Sequence, residues 1–99
     1  MAQINVVAVL KAKEGREADV VAAFEPVLEA SRKDKGCIRY DLFSAEGAPG
    51  TLVMLETWES QEDLNEHMKS PALAAGFGSV GDAFDGAPQL YMLKPVNVA

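Results

Sequence analysis

The sequence predicts an α+β domain of ferredoxin-like topology: a split βαβ arrangement (βαββαβ) with helices packed on one face of an antiparallel sheet. Three observations carry this expectation. A β-branched run opens the chain at Ile4, an apolar stripe at helical spacing follows between Glu14 and Lys33, and two alternating runs flank a glycine- and proline-containing turn. At 99 residues, the length is that of one domain, taken as residues 1–99. A domain so small buries only about 60–65% of its unfolded surface, so its own core is thin and dimerisation is a common remedy.

The first strand is read from Ile4 to Ala12. Ile4, Val6, Ala8 and Leu10 fall on one face and Asn5, Val7, Val9 and Lys11 on the other, so both faces carry apolar side chains. A long helix is expected from Glu14 to about Lys33. Val20, Val21, Phe24, Val27, Leu28 and Ser31 form its inner stripe, Pro26 is a site for a kink, and Gly36 is a stop. Cys37 to Ala45 and Thr51 to Glu59 form the second and third strands, joined through Glu46-Gly47-Ala48-Pro49-Gly50 as an antiparallel hairpin. Leu52, Met54, Glu56 and Trp58 share one face of the third strand, and Val53, Leu55 and Thr57 the other.

Ser60 and Asp63 have the spacing of a capping box ahead of a short helix through Lys69, with Leu64 and Met68 as its apolar pair. Ser70-Pro71 restarts a helix, serine as cap and proline at the first position. Leu73, Phe77, Val80 and Phe84 line its apolar side, while Gly76, Gly78 and Gly81 weaken it by roughly 1 kcal/mol each relative to alanine. Gln89 to Lys94 is the last strand. The sheet face without helices should be polar in a monomer, yet Val7, Val9, Val53 and Leu55 occupy it. Each would contribute about 1.5–3 kcal/mol if buried, and a second copy of the same sheet is the simplest cover.

Composition excludes several classes. A net charge of −6, spread along the chain, works against nucleic acid, whose phosphates need a concentrated basic surface. Asp34 interrupts the Arg32, Lys33 and Lys35 cluster, which reads as a solvated helix end. The longest uncharged stretch, Ser70 to Gly81, is far short of the ~20 apolar residues of a membrane span. No basic region leads into an apolar one at the N-terminus, so no signal peptide is expected. Cys37 is the only cysteine, which fits a reducing cytoplasm and, at its position after Gly36, a small core residue.

The parts available for chemistry are few. No glycine-rich phosphate loop follows a strand, and one histidine with scattered acids gives no metal-ligand spacing, so no tightly bound metal, flavin or haem is expected. His67 flanks the buried side of its helix. It is either a partly buried structural histidine or a pocket histidine that moves a proton near neutral pH. Glu56, on the face shared with Trp58, must find a partner or shift its pKa upward if helices cover it. Trp58 and Tyr40 are each either core or pocket residues. Asn5 and Arg39 lie on the face assigned to dimer contacts.

The spacing of these residues resembles a known family. Gly36-Cys37-Ile38-Arg39-Tyr40 is similar to the Gly-Cys-x-x-Tyr stretch opening the second strand of the antibiotic biosynthesis monooxygenase (ABM) family. Glu56-Thr57-Trp58-Glu59-Ser60, with Leu64 and His67, resembles its Glu-x-Trp-x-Ser…Leu-x-x-His pattern. Lys13-Glu14-Gly15-Arg16 resembles the entry to helix one, and Pro26 falls where many members have proline. The likeness runs from about residue 4 to 95.

The resemblance implies a dimeric α/β barrel of two sheets, with a pocket between helices and sheet in each subunit. It implies, as in the quinol monooxygenase-like members, cofactor-independent oxidation of a small phenolic or quinol-like aromatic by O2. Carried onto this chain, His67 and Glu56 would handle the proton, Trp58 would pack on the substrate ring and Tyr40 would hydrogen-bond an oxygen. Phe77 and Met68 would complete the substrate wall. Haem-degrading relatives use an Asn, Trp and His set. Only the Trp has a counterpart here, since Ala8 and Phe77 stand at the other two positions. An isomerase-type branch would need a cationic phosphate site, for which this chain offers no cluster. A non-catalytic, ligand-binding dimer is the alternative from a different class.

Overall fold

The computed structural model describes residues 3–99. Four strands, β1 (Ile4–Lys11), β2 (Cys37–Ser44), β3 (Thr51–Trp58) and β4 (Gln89–Leu93), form one antiparallel sheet in the order β2-β3-β1-β4. Three helices, α1 (Glu17–Ser31), α2 (Gln61–Met68) and α3 (Pro71–Ser79), and a single 3₁₀ turn (Gly81–Ala83) complete it. This is the ferredoxin-like α+β architecture expected from the element order.

Boundaries differ from the sequence reading where backbone chemistry intervenes. Helix α1 starts at Glu17 rather than Glu14, because Gly15 adopts a left-handed φ of 77° and the Arg16 N–H closes a turn on the Lys13 carbonyl. It ends at Ser31, short of Lys33. Arg32, read as part of a solvated cluster, instead ties α1 to β2: its Nε donates to the Tyr40 carbonyl at 3.0 Å and its guanidinium pairs with Asp41 at 3.1 Å. Gly36 is required twice over: its φ is +80°, and a Cβ there would collide with the Asp63 side chain.

The core lies between the helices and one sheet face. Val6, Ala8, Leu10, Leu52, Met54 and Trp58 are buried from the sheet, and Val20, Phe24 and Val27 from α1. Phe24 meets Phe77 edge-on at 5.1 Å and Phe84 at 6.4 Å. Ser60 caps α2, accepting from the Asp63 N–H, and Ser70 caps α3 from the Leu73 N–H. Gly76, a weak helix residue by propensity, earns its place by packing: a Cβ there would strike Val27 of α1.

On the opposite face Val7, Val9, Val53 and Leu55 are only half-buried. Their cross-strand neighbours Phe43 and Tyr91 are exposed, as is Leu93 opposite Asn5. Cys37, expected in the core, is half-buried at its edge. No helix among the described residues is long and apolar enough to cross a membrane.

Candidate active site

Three elements converge on one point. The alternation of β3 turns Glu56 and Trp58 toward the helices, β2 adds Tyr40 directly opposite Glu56, and α2 adds His67 from its inner face. The register slips between Cys37 and Arg39, and this bulge sets Tyr40 on the covered face. All four side chains are buried.

The Glu56 carboxyl, 6% exposed, accepts a hydrogen bond from the Trp58 indole N–H at 3.0 Å. Burial among apolar groups pushes its pKa up, and the Trp58 hydrogen bond and nearby His67 only partly oppose this. The sequence alternatives, a partner or a raised pKa, are thus both realised. Burial likewise drives the Tyr40 phenol upward, with Glu56 beside it adding to the effect.

His67 is 1% exposed, more deeply set than a residue flanking the buried side of α2. Its ring lies 4.6 Å from that of Trp58 and 5.0 Å from that of Tyr40. Nδ1 contacts Asp34 Oδ2 at 3.3 Å, while Nε2 points toward Glu56 Oε1 at 3.9 Å and has no hydrogen-bond partner.

A cavity of about 40 Å³ opens beside this cluster, lined by Glu56, His67, Tyr40, Phe77, Met68, Leu73, Phe24 and Leu90 among others. Five of the six residues singled out from the sequence therefore share one wall. The sixth, Trp58, does not line the cavity, because the end of β3 carries it behind Glu56, where His67 covers its face. It holds the Glu56 carboxyl and backs the histidine. Met68 is a correction. It was expected as the inner partner of Leu64, but the buried row of α2 is Asp63, Leu64 and His67, which leaves Met68 47% exposed at the cavity mouth with Leu90.

Sequence reasoning missed Asp34 altogether. Its signal was an acid interrupting a basic run after a helix, and only the fold brings it to His67 from 33 positions away. A larger trough, about 530 Å³, lies on the helix-free face between Arg39, Leu55, Thr57 and residues 93–98, but it holds no comparable buried acid–histidine pair. Among the described residues, no three His, Cys, Asp or Glu side chains form a metal-binding group.

Comparison with known proteins identifies relatives in sequence and in fold. The antibiotic biosynthesis monooxygenase family model matches residues 3–78. The candidate monooxygenase YcnE of Bacillus subtilis is 30% identical over 82% of this chain and 84% of its own length. The candidate monooxygenase Rv0793 of Mycobacterium tuberculosis is 32% identical over 79% of this chain and 76% of its own. In the solved structure of Rv0793 the fold is shared with a TM-score of 0.87, at 24% identity across 99% of both chains. A candidate antibiotic biosynthesis monooxygenase structure from Caulobacter crescentus gives 0.85 at 28% identity, covering 96% of this chain and 91% of the other.

Proposed function

The chain belongs to the antibiotic biosynthesis monooxygenase family, and from that premise we propose that it is a monooxygenase acting with O2 on a small phenolic or quinol-like aromatic. The observation that carries the reading is a protonatable acid and the only histidine of the chain, side by side in the wall of an otherwise apolar cavity. That combination suits a substrate with one ionisable hydroxyl on a greasy ring.

The chemistry asks little of the protein. Conversion of a phenol to a quinone by O2 places one oxygen atom in the ring and releases the other as water, and the ring itself supplies all four electrons. The protein's tasks are to take the hydroxyl proton, hold the resulting anion and keep water away. Glu56 and His67 take the proton. Tyr40, with its phenol held protonated, donates a hydrogen bond to the ring oxygen. Leu73, Phe77 and Phe24 supply the dry surface.

The cavity at rest has room for about one water, well below the ~300 Å³ of typical ligand sites. A ring therefore enters by displacing Met68 and Leu90. Both are exposed at the mouth, and methionine, unbranched with three rotatable bonds, is suited to the movement. The helix-free face, with its half-buried valines and exposed Phe43, Tyr91 and Leu93, is covered by a second copy to make a homodimer.

Oxygen consumption with a panel of dihydroxyaromatics, such as catechol, 1,4-hydroquinone and menadiol, tests the proposal. Uptake above the autoxidation rate supports it. Thermal stabilisation by a panel compound with no uptake would establish the ligand-binding alternative instead.

A further inference from the structure

The mechanism needs somewhere for the proton to go, and Glu56 is only 6% exposed. His67 walls two spaces at once. On its inner side is the cavity shared with Glu56, and on its outer side a polar depression of about 150 Å³ lined by Asp34, Lys35, Glu62, Asp63, Glu66 and Ser70. The imidazole is the partition between them. One ring nitrogen faces each way: Nε2 toward Glu56 Oε1 at 3.9 Å, and Nδ1 toward Asp34 Oδ2 at 3.3 Å. The side-chain exposures follow the same line, 6% for Glu56, 0% for His67 and 38% for Asp34.

We infer that Asp34 is the outer end of a proton path that runs from Glu56 through the His67 ring to solvent. The inference rests on the monooxygenase reading for its purpose and on the two ring contacts for its geometry. With Nδ1–H donating to Asp34, Nε2 keeps its lone pair, which accounts for the buried Nε2 that lacks a partner. The transfer balances. The Glu56 O–H bond breaks as Nε2–H forms, Nδ1–H breaks as the Asp34 carboxyl takes the proton, and Asp34 passes it to water. One proton leaves and no charge stays on the ring. The reverse transfer returns a proton when the second oxygen atom departs as water, and it resets the tautomer. The 3.9 Å gap is too long for a hydrogen bond at rest, and it closes by a small shift of Glu56 or by one bridging water. Ring orientation is held by contacts with Trp58 at 4.6 Å and Tyr40 at 5.0 Å. The charges around the path are Glu56 on β3, Asp34 and Lys35 in the loop after α1, and Asp63, Glu62 and Glu66 on α2 itself. Asp34 is a positioning residue and proton exit, set apart from the cavity by the ring.

His67 is the only histidine in the chain, so protein labelled with ¹⁵N-histidine reports one imidazole and needs no substrate. The expected neutral ring is the Nδ1–H tautomer, with Nε2 unprotonated. Asp34→Asn should keep that tautomer, because the amide oxygen still accepts, yet slow exchange of the ring proton with water about tenfold, because the amide cannot carry it. Asp34→Glu should restore the exchange. Asp34→Ala should lose the tautomer preference. In oxygen uptake with 1,4-hydroquinone, Asp34→Asn should lower kcat about tenfold at unchanged KM, with recovery in added acetate buffer. An Nε2–H ring in the unaltered protein, or exchange indifferent to Asp34→Asn, overturns the path. Absence of uptake by the unaltered protein overturns only the monooxygenase reading, since the exchange measurement decides the path independently.

Discussion

The two faces of the sheet are built from the same kind of residue and end in different environments. Along β3, Leu52, Met54, Glu56 and Trp58 are buried, while the interleaved Val53, Leu55 and Thr57 are half-buried. Along β1 the same contrast separates Val6, Ala8 and Leu10 from Val7 and Val9. Hydrophobicity is therefore not what distinguishes the faces; a cover is. The helix-covered face holds an acid and a histidine away from water, and the proposed chemistry draws on that isolation. The helix-free face leaves its apolar side chains half-buried or exposed, and β4, exposed throughout, adds Tyr91 and Leu93 to that face while its Leu90 stands at the cavity mouth on the other.

Substitutions should break this contrast in a graded way. The largest effect falls on the covered face. Phe24→Ala removes a ring packed edge-on against Phe77 and Phe84 and should cost about 3–5 kcal/mol, read by urea denaturation. On the other face, Val53→Asp should leave each chain folded but convert a dimer to monomers. Sedimentation at micromolar concentration checks this, and a clean 10.6 kDa species from the unaltered protein would remove the second copy from the account.

A pH series sharpens the comparison. The carboxyl of Glu56 is held above its ordinary pKa by burial, so its protonated form favours the fold. Its contribution to stability is complete below the unfolded value of about 4.3 and is lost as pH rises through the folded value. Glu56→Gln has no such loss, so it should be more stable than the unaltered protein at pH 8, with the gap closing near pH 4. Thermal melts across that range test the sign. The smallest change is at a helix end: Ser60→Ala removes the cap of α2 and should cost about 1 kcal/mol without altering assembly.

Much of this was legible before folding, and the reason is local periodicity. Period-two alternation placed Glu56 beside Met54 and apart from Val53, and serine caps marked both short helices. What escaped depends on contacts distant in sequence. Asp34 lies on a loop that no pattern connects to α2, and the place of Trp58 behind Glu56 was not legible because alternation fixes a face without saying which side chain on it stands behind another. Met68 and His67 exchanged expected roles for a similar reason. They are adjacent on α2, and the fold, through the position of β3, decides which one turns inward. Full burial against Trp58 and Tyr40 also means that His67→Ala would open a void in the core, so Gln, a closer match in volume, is the better probe.

The most direct test of the account is oxygen consumption by His67→Gln beside the unaltered protein, on whichever dihydroxyaromatic the panel identifies, with circular dichroism and sedimentation run on the same samples. A general acid or base contributes about 10²-fold or more, so turnover should fall by at least that factor while fold and assembly hold. Undiminished turnover in folded His67→Gln would contradict the account, and would make the histidine a core residue and the cavity something other than the site of oxidation.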